Sequence, residues 1–436
     1  MTNLLILMLL YLTYAAISFW LFNYNFLSPS FVFLSSLSAM LCIAYYAAVN
    51  MDMLFAINIR TFAIFAWAGF IFLATEFFVY AGHTVNYFQN NKHVIPKEPE
   101  PLIINPQIQR AAVIFLVFSL MLAVVVLYIN TGGGSWGDRM RAYRAMFMTN
   151  ASQIRFFVIT SQLYKINIVI ADFFGYVLVY NFTACNVPLR EMRNYIICVL
   201  LFAAYSVLYT AARQSAIELF LFMLMIYTVL NSRPGRKAKI IGLIMKSIPA
   251  LLLIASIFTI LGPLIGRYET TKSSLQNFVE YFCGGLYAFN LRIDLGASTK
   301  IWGQSSFSIL YQIPKHFGFM QDFQNEQLFA EFHMYGNTVS IFGRWYLDFG
   351  ATGVFIMTFL VSLLYSLSFY RKIVHSQNIS SEHHLARIYY CQFMTALVWA
   401  GYDDRINALL TLQTLVFLIL TAILYKMLVV EKFKLF

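Results

Sequence analysis

Arg139, Arg141 and Arg144 follow the triple glycine Gly132–Gly134 in the run NTGGGSWGDRMRAYR, with Asp138 as the one acid among them. A guanidinium offers paired donors in a planar fork that fits phosphate or carboxylate, and lysine has no such fork. If the run is helical, Arg141 and Arg144 share a face. The glycines let backbone approach a ligand closely. Arg213, in YTAARQSAIE, stands where an apolar run begins near Ser215, and a helix N-terminus there would add its own preference for an anion. Arg267, in IGRYE, follows another apolar run, and Arg292 and Arg344 are second choices. The chemistry these residues suit is the binding of an anionic group.

The elements that must position them are set by composition. The chain has 436 residues, 60% hydrophobic and 11% charged, with mean hydropathy +0.69. Soluble domains carry roughly 25% charged residues, so a water-soluble enzyme is excluded, and an 18% aromatic content excludes disorder. Runs of roughly 20 apolar residues cross a bilayer as helix. They occur near 4–22, 30–49, 61–80, 111–129, 156–182, 194–210, 215–231, 240–262, 350–370, 385–401 and 408–429, about eleven spans in all. Exposed backbone in lipid must be helical unless a barrel closes, and no barrel-like alternation is present. The fold expected is an all-α polytopic membrane protein, one membrane domain over residues 1–436. The first run is read as a span rather than a cleaved leader, since no basic segment precedes it.

Basic loops orient the spans. NSRPGRKAK (231–239) is the strongest, and the clusters Arg190/Arg193, Arg371/Lys372, Lys92/Lys97/Arg110 and the Lys432/Lys434 tail fall on its side. Most of the net charge of +11 is this bias and says nothing of a nucleic acid. On the other, outer side the bases are arginines 60, 139, 141, 144, 155, 213, 267, 292, 344 and 405 against lysines 272, 300 and 315. Arg60, Arg155 and Arg405 suit ordinary loop roles, Arg405 pairing with Asp403 or Asp404. Two outer segments stand out: residues 130–155, rich in arginine and glycine, and a long loop over 263–349. Inside the spans, Lys246 can snorkel, Lys165 and Asp172 can bridge, and Glu218 is placed to partner Arg213. Of five cysteines only Cys283 falls on the outer side, so no disulfide framework is expected, and no Cys/His spacing suggests zinc. No Walker loop or dinucleotide fingerprint occurs.

Within the long loop, Asn337–Thr338, the stretch RWYLD (344–348) and then FGATG form the most distinctive run. With the glycine-rich segment before Arg141/Arg144, the Arg213–Ser215 helix start and YFCGGLYAFN (281–290), it resembles the signature of bacterial Wzy-type O-antigen polymerases, relatives of the O-antigen ligases. The threonine follows Asn337 directly, with Ser340 in the usual neighbourhood, so the match is approximate. The resemblance implies an inner-membrane glycosyltransferase of GT-C type, with a large periplasmic loop and its active site facing the periplasm. It would join undecaprenyl-diphosphate-linked oligosaccharide units, transferring the growing chain to the non-reducing end of a new unit. A flippase and a chain-length regulator are implied partners, and no cofactor is.

On this reading Arg141, Arg144, Arg213, Arg267, Arg292 and Arg344 bind the diphosphate, stabilising charge as it develops on the leaving group. His333, Glu331, Glu326 or Asp348 is the base, His333 having the most suitable ordinary pKa. Asp348 alternatively caps the helix that follows it. Asn337, Tyr281 and Tyr346 would contact sugar. The first outer loop offers a lone Asp52, so a metal-independent mechanism is expected. The alternatives are an O-antigen ligase and a polysaccharide flippase or transporter.

Overall fold

The computed structural model describes residues 1–51, 56–90, 99–149, 151–210, 212, 214–231, 274–295, 302–319, 340–374 and 383–431. Every regular element among them is helical: α1 (Thr2–Leu21), α2 (Pro29–Asn50), α3 (Ile59–Asn90), α4 (Pro106–Asn130), α5 (Trp136–Thr149), α6 (Phe157–Ala184), α7 (Arg193–Thr210), α8 (Gln214–Asn231), α9 (Ser274–Leu295), α10 (Ser308–His316), α11 (Gly343–Ser368), α12 (His384–Val398), α13 (Arg405–Leu409) and α14 (Leu412–Tyr425). π-helical turns extend α11 to Val374 and α14 to Val430. Nine helices among the described residues are long and apolar enough to cross a membrane: α1–α4, α6–α8, and α11 and α14 with their extensions. The chain is thus an all-α, multi-pass membrane protein. The run near 240–262 lies outside the described residues, and that near 385–401 is the shorter α12 plus a 3-10 turn, Trp399–Gly401.

The chain divides into two compact units: Met1–Pro96, Lys272–Asn378 and Gln392–Leu415 form the first, and Lys97–Thr271, Ile379–Cys391 and Val416–Phe436 the second. In the first, α1, α2, α3, α9 and α11 pack together. Phe33 stacks on Phe72, ring centroids 4.1 Å apart, and Phe342 meets Phe65 edge-on at 4.8 Å. Glu76, fully buried in α3, accepts the backbone N–H of Ser30 in the first turn of α2 and the Tyr370 hydroxyl. This carboxylate is held by two donors and the positive end of a helix, as one buried in a membrane protein must be.

α9 falls within the stretch 263–349 that reads as a loop by sequence. It packs on α2 and α3, burying Val279, Cys283, Leu286 and Phe289. The Cys283 thiol lies 3.6 Å from the Met40 carbonyl, halfway along α2, and Asn290 donates to the Ala56 carbonyl and accepts from the Asn58 N–H. Gln276, Asn277, Glu280, Arg292 and Asp294 interrupt the apolar run in the sequence, so hydropathy does not mark this helix.

In the second unit α4, α6, α7 and α8 pack together, and α5 rests on α4 and α7. α4 buries Ala112, Leu116, Ser119, Ala123 and Val126 while Ile114, Phe118, Met121 and Val125 are exposed, the two stripes of a helix lying between protein and lipid. α2 and α4 begin alike: Ser28 and Asn105 accept the N–H groups of Phe31 and Gln107, with proline at the first helical position. Each cap contributes about 1 kcal/mol, and the proline forfeits no helical bond there.

α11 contains one break. Gly350 adopts φ 67°, ψ −163°, a conformation costly for a residue with a Cβ. The resulting bend brings Phe349 over Gly353, where an added Cβ would lie 2.0 Å from the Phe349 Cβ. The two glycines of FGATG therefore act together, one making the bend and the other accommodating it. Gly353→Ala is expected to cost about 1–3 kcal/mol of stability through overpacking. Thermal unfolding of the detergent-solubilised protein would read this as a lowered midpoint, and an unchanged midpoint would show that the bend is not held.

Candidate functional site

In the second unit the segment 130–155 is a closed excursion. Its first residue clasps its last: the Arg155 N–H donates to the Asn130 side chain at 2.7 Å, and the Asn130 amide to the Arg155 carbonyl at 3.4 Å. Between them Ser135 and Asp138 start α5 as a capping pair. The Ser135 hydroxyl donates to the Asp138 carboxylate at 2.6 Å, and the Asp138 N–H returns to the Ser135 hydroxyl at 3.3 Å. These bonds, led by the hydroxyl, hold the Asp138 carboxyl below its usual range, with the Arg141 charge adding to them. The acid of the arginine cluster is thus committed to the helix start.

The three arginines divide by role. Arg139 donates to the Thr131 carbonyl at 3.3 Å and lies 4.5 Å over the Tyr128 ring, pinning α5 to the end of α4. Met140 and Tyr143 are buried beneath α5, burial holding the Tyr143 phenol protonated well above its ordinary range. Arg141 is exposed and Arg144 half-buried, on the face the helical spacing predicted.

Beneath α5 runs a tier of aromatic rings. Phe147 meets Tyr209 edge-on at 5.6 Å, and Tyr209 stacks on Tyr164 at 4.9 Å and on Tyr205 at 5.8 Å. The Tyr164 hydroxyl shares a 2.7 Å hydrogen bond with Ser215 in the first turn of α8, where Gln214 donates to Glu218 at 2.8 Å. A continuous set of contacts thus joins the arginine helix to the start of α8. Nothing in the sequence marked Tyr164, Tyr205 and Tyr209; their spacing on α6 and α7 reads equally as core. Arg213 itself lies outside the described residues. Lys165 donates to Gln162 at 3.3 Å. A cavity of about 310 Å³ lined by Phe182, Asn186, Pro188 and Tyr227 lies at the other end of α6, away from α5.

The first unit carries its own polar group where α3 and α11 begin. Arg344 places Nε 3.4 Å from the carboxylate of Asp404, which is fully buried while the arginine is 32% exposed. The Asp404 carboxylate also receives the Asn407 backbone N–H at 3.2 Å and the Asn407 side-chain amide, and the Trp345 indole reaches Asn407 at 3.4 Å. Burial lifts the Asp404 carboxyl to about 6, against the opposing pull of Arg344 and the Asn407 bonds. Arg405 pairs with Asp403 at 3.1 Å, one of the two partners its position in the sequence offers.

Asp348 does not cap the helix that follows it. Its carboxylate accepts the backbone N–H groups of Ser305 at 3.1 Å and Ser306 at 2.6 Å, which ties a separate segment to the start of α11. Tyr346 is committed as well, its hydroxyl donating to the Ile293 carbonyl at 3.2 Å and its ring meeting Phe289 at 5.5 Å. Arg292 is half-buried near the end of α9, and Tyr281 lies within the same helix. His333, Glu331, Glu326, Asn337, Arg267 and Asp52 lie outside the described residues. Among the described residues no group of three or more His, Cys, Asp or Glu side chains is placed to hold a metal ion.

Each unit brings several arginines together. In the second, Arg139, Arg141, Arg144 and Arg155 gather where α4 ends and α6 starts, while Arg110, Arg190 and Arg193 mark the opposite end. In the first, Arg60, Arg292, Arg344 and Arg405 gather where α3 and α11 start. Chemically, an exposed guanidinium on a braced helix, above hydroxyl-bearing rings that lead to a helix N-terminus, suits an anion with several oxygens. No family model matches the chain, and no characterised protein and no solved structure is detectably similar to it.

Proposed function

We propose that the protein is a glycosyltransferase that polymerises undecaprenyl-diphosphate-linked oligosaccharide units at the periplasmic face of a bacterial inner membrane. The observation that carries this reading is α5, a helix outside the spans whose Arg141 and Arg144 share a face and whose contacts lead to the first turn of α8. Arg213 precedes that turn in the chain. The acceptor hydroxyl attacks the anomeric carbon of the donor chain, and the bond from that carbon to the diphosphate oxygen breaks with its electron pair going to oxygen. Arginines near that oxygen lower the barrier as charge develops, most effectively where water is scarce. The hydroxyl proton passes to a base. Asp348 already accepts backbone N–H groups, so His333, Glu331 and Glu326 are the better-suited candidates.

Ligation of the same lipid-linked donor to a different acceptor, and transport of the lipid-linked unit, are the competing readings. Deleting the gene in a strain that makes polymeric surface glycan separates them. Loss of a polymerase leaves lipopolysaccharide core carrying one repeat, loss of a ligase leaves bare core, and loss of a flippase strands the lipid-linked unit on the cytoplasmic side. A normal ladder after deletion would rule out polymerisation.

A further inference from the structure

Residues 302–319, between α9 and α11, expose an apolar face. Leu310, Ile313 and Phe317 follow helical spacing along α10 and its C-terminal cap, and all three are exposed. Trp302 and Phe319 flank them at 69% and 83% exposure. In water such a patch would favour association, and in a membrane protein it fits lipid.

Its position is fixed by contacts with α11. Trp302 lies 5.0 Å and Phe307 6.0 Å from Phe349, ring to ring. Gly303, at φ 68°, turns the chain between them, and a Cβ there would press on Phe307 at 3.0 Å. Asp348 holds the same turn through the Ser305 and Ser306 N–H groups. From Gly350 to Tyr370 the helix is about 20 residues long and covers about 30 Å, the thickness of the hydrocarbon layer. Arg371 and Lys372 lie just beyond one end, as basic residues do at a membrane boundary, so the bend at Gly350 falls at the other boundary. Below the bend Ile356, Phe359, Leu360 and Leu364 of α11 are exposed toward what must be lipid. The aromatic turn and α10 are therefore attached at the membrane plane, contiguous with a lipid-facing surface.

We propose that residues 302–319 form an in-plane interfacial anchor, with Leu310, Ile313, Phe317, Trp302 and Phe319 entering the lipid headgroup–acyl boundary of the leaflet opposite Arg371 and Lys372, and that Asp348 is the positioning residue that pins this anchor to α11. The inference stands whether or not the chain transfers sugars. It gives Asp348 a mechanical role.

The test uses the full-length protein in phosphatidylcholine liposomes. Leu310→Cys, Phe317→Cys and Lys315→Cys are made singly and labelled with an environment-sensitive fluorophore, with labelled wild type supplying the native cysteine background. Probes at 310 and 317 should be quenched several-fold more by nitroxides on shallow acyl-chain positions than by aqueous iodide, and the probe at 315 more by iodide. Equal iodide quenching at all three positions would overturn the anchor. Protection of 310 and 317 from both quenchers would also overturn it, showing protein, such as a second copy, on that face. Adding Asp348→Ala to Phe317→Cys should raise iodide quenching several-fold, and the milder Asp348→Asn should raise it less. Unchanged quenching in both would remove Asp348 from the proposal.

Discussion

Replacing Arg141 with alanine is expected to abolish long glycan chains in a producing strain while leaving the protein's abundance unchanged. The expectation rests on how α5 is built. The contacts that brace it include the Ser135–Asp138 capping pair, Arg139 on Thr131 and Tyr128, and the buried Met140 and Tyr143. Arg141 is exposed above that framework, so its loss should not unseat the helix. On the polymerase reading, removing one fixed donor from a developing oxyanion costs about 10²- to 10³-fold in rate. Arg141→Lys, which keeps the charge and loses the planar fork, should retain short chains. Arg144→Ala and Arg213→Lys should behave like Arg141→Ala. Arg139→Ala is the informative contrast, because it should lower abundance or thermal stability along with activity. Full-length chains from both Arg141→Ala and Arg213→Lys would show that this face is peripheral to the chemistry.

The membrane architecture was readable because lipid imposes a coarse rule. α1, α2, α4, α6, α7, α8 and α14 all occupy apolar runs apparent by inspection. α9 was not, because it packs on protein and tolerates Glu280, Arg292 and Asp294 along its length. Segment 130–155 stands out in the sequence by composition, and in the structure its first and last residues are joined by the Asn130–Arg155 clasp. Side-chain partners were harder. The sequence offers Arg405 either Asp403 or Asp404; it pairs with Asp403, whereas Asp404 turns away to Arg344, sixty positions earlier. Likewise Asp348 meets Ser305 and Ser306, which no local pattern associates with it. Local spacing identifies candidates, but only the packing of helices decides whether a carboxylate is a cap, a counter-ion or a latch.

Asp404→Asn is expected to leave the protein at least as stable as wild type at neutral pH, although it removes one partner of an ion pair. The reason lies in the balance of terms at a fully buried carboxylate. Burial raises its pKa from 3.8 to about 6 despite Arg344 and the two Asn407 donors, so the fold favours the protonated acid over the ion. With the folded value above the unfolded one, the stabilisation is fully present below about pH 4 and is lost as pH rises through about 6. Two pKa units correspond to about 3 kcal/mol, an upper figure for what the wild type loses across that window. Asparagine, a neutral analogue of the acid, does not titrate. The stability of Asp404→Asn relative to wild type should therefore rise between pH 4.5 and 7.5. Thermal unfolding in detergent across this range checks the slope, and a relative stability that falls with rising pH would show that Arg344 outweighs the burial cost. If the slope is as expected, the ionised pair is retained at a cost, and its use is to fix the direction of a half-exposed Arg344. On the polymerase reading, glycan polymerisation should then fall in Asp404→Asn even as the protein gains stability.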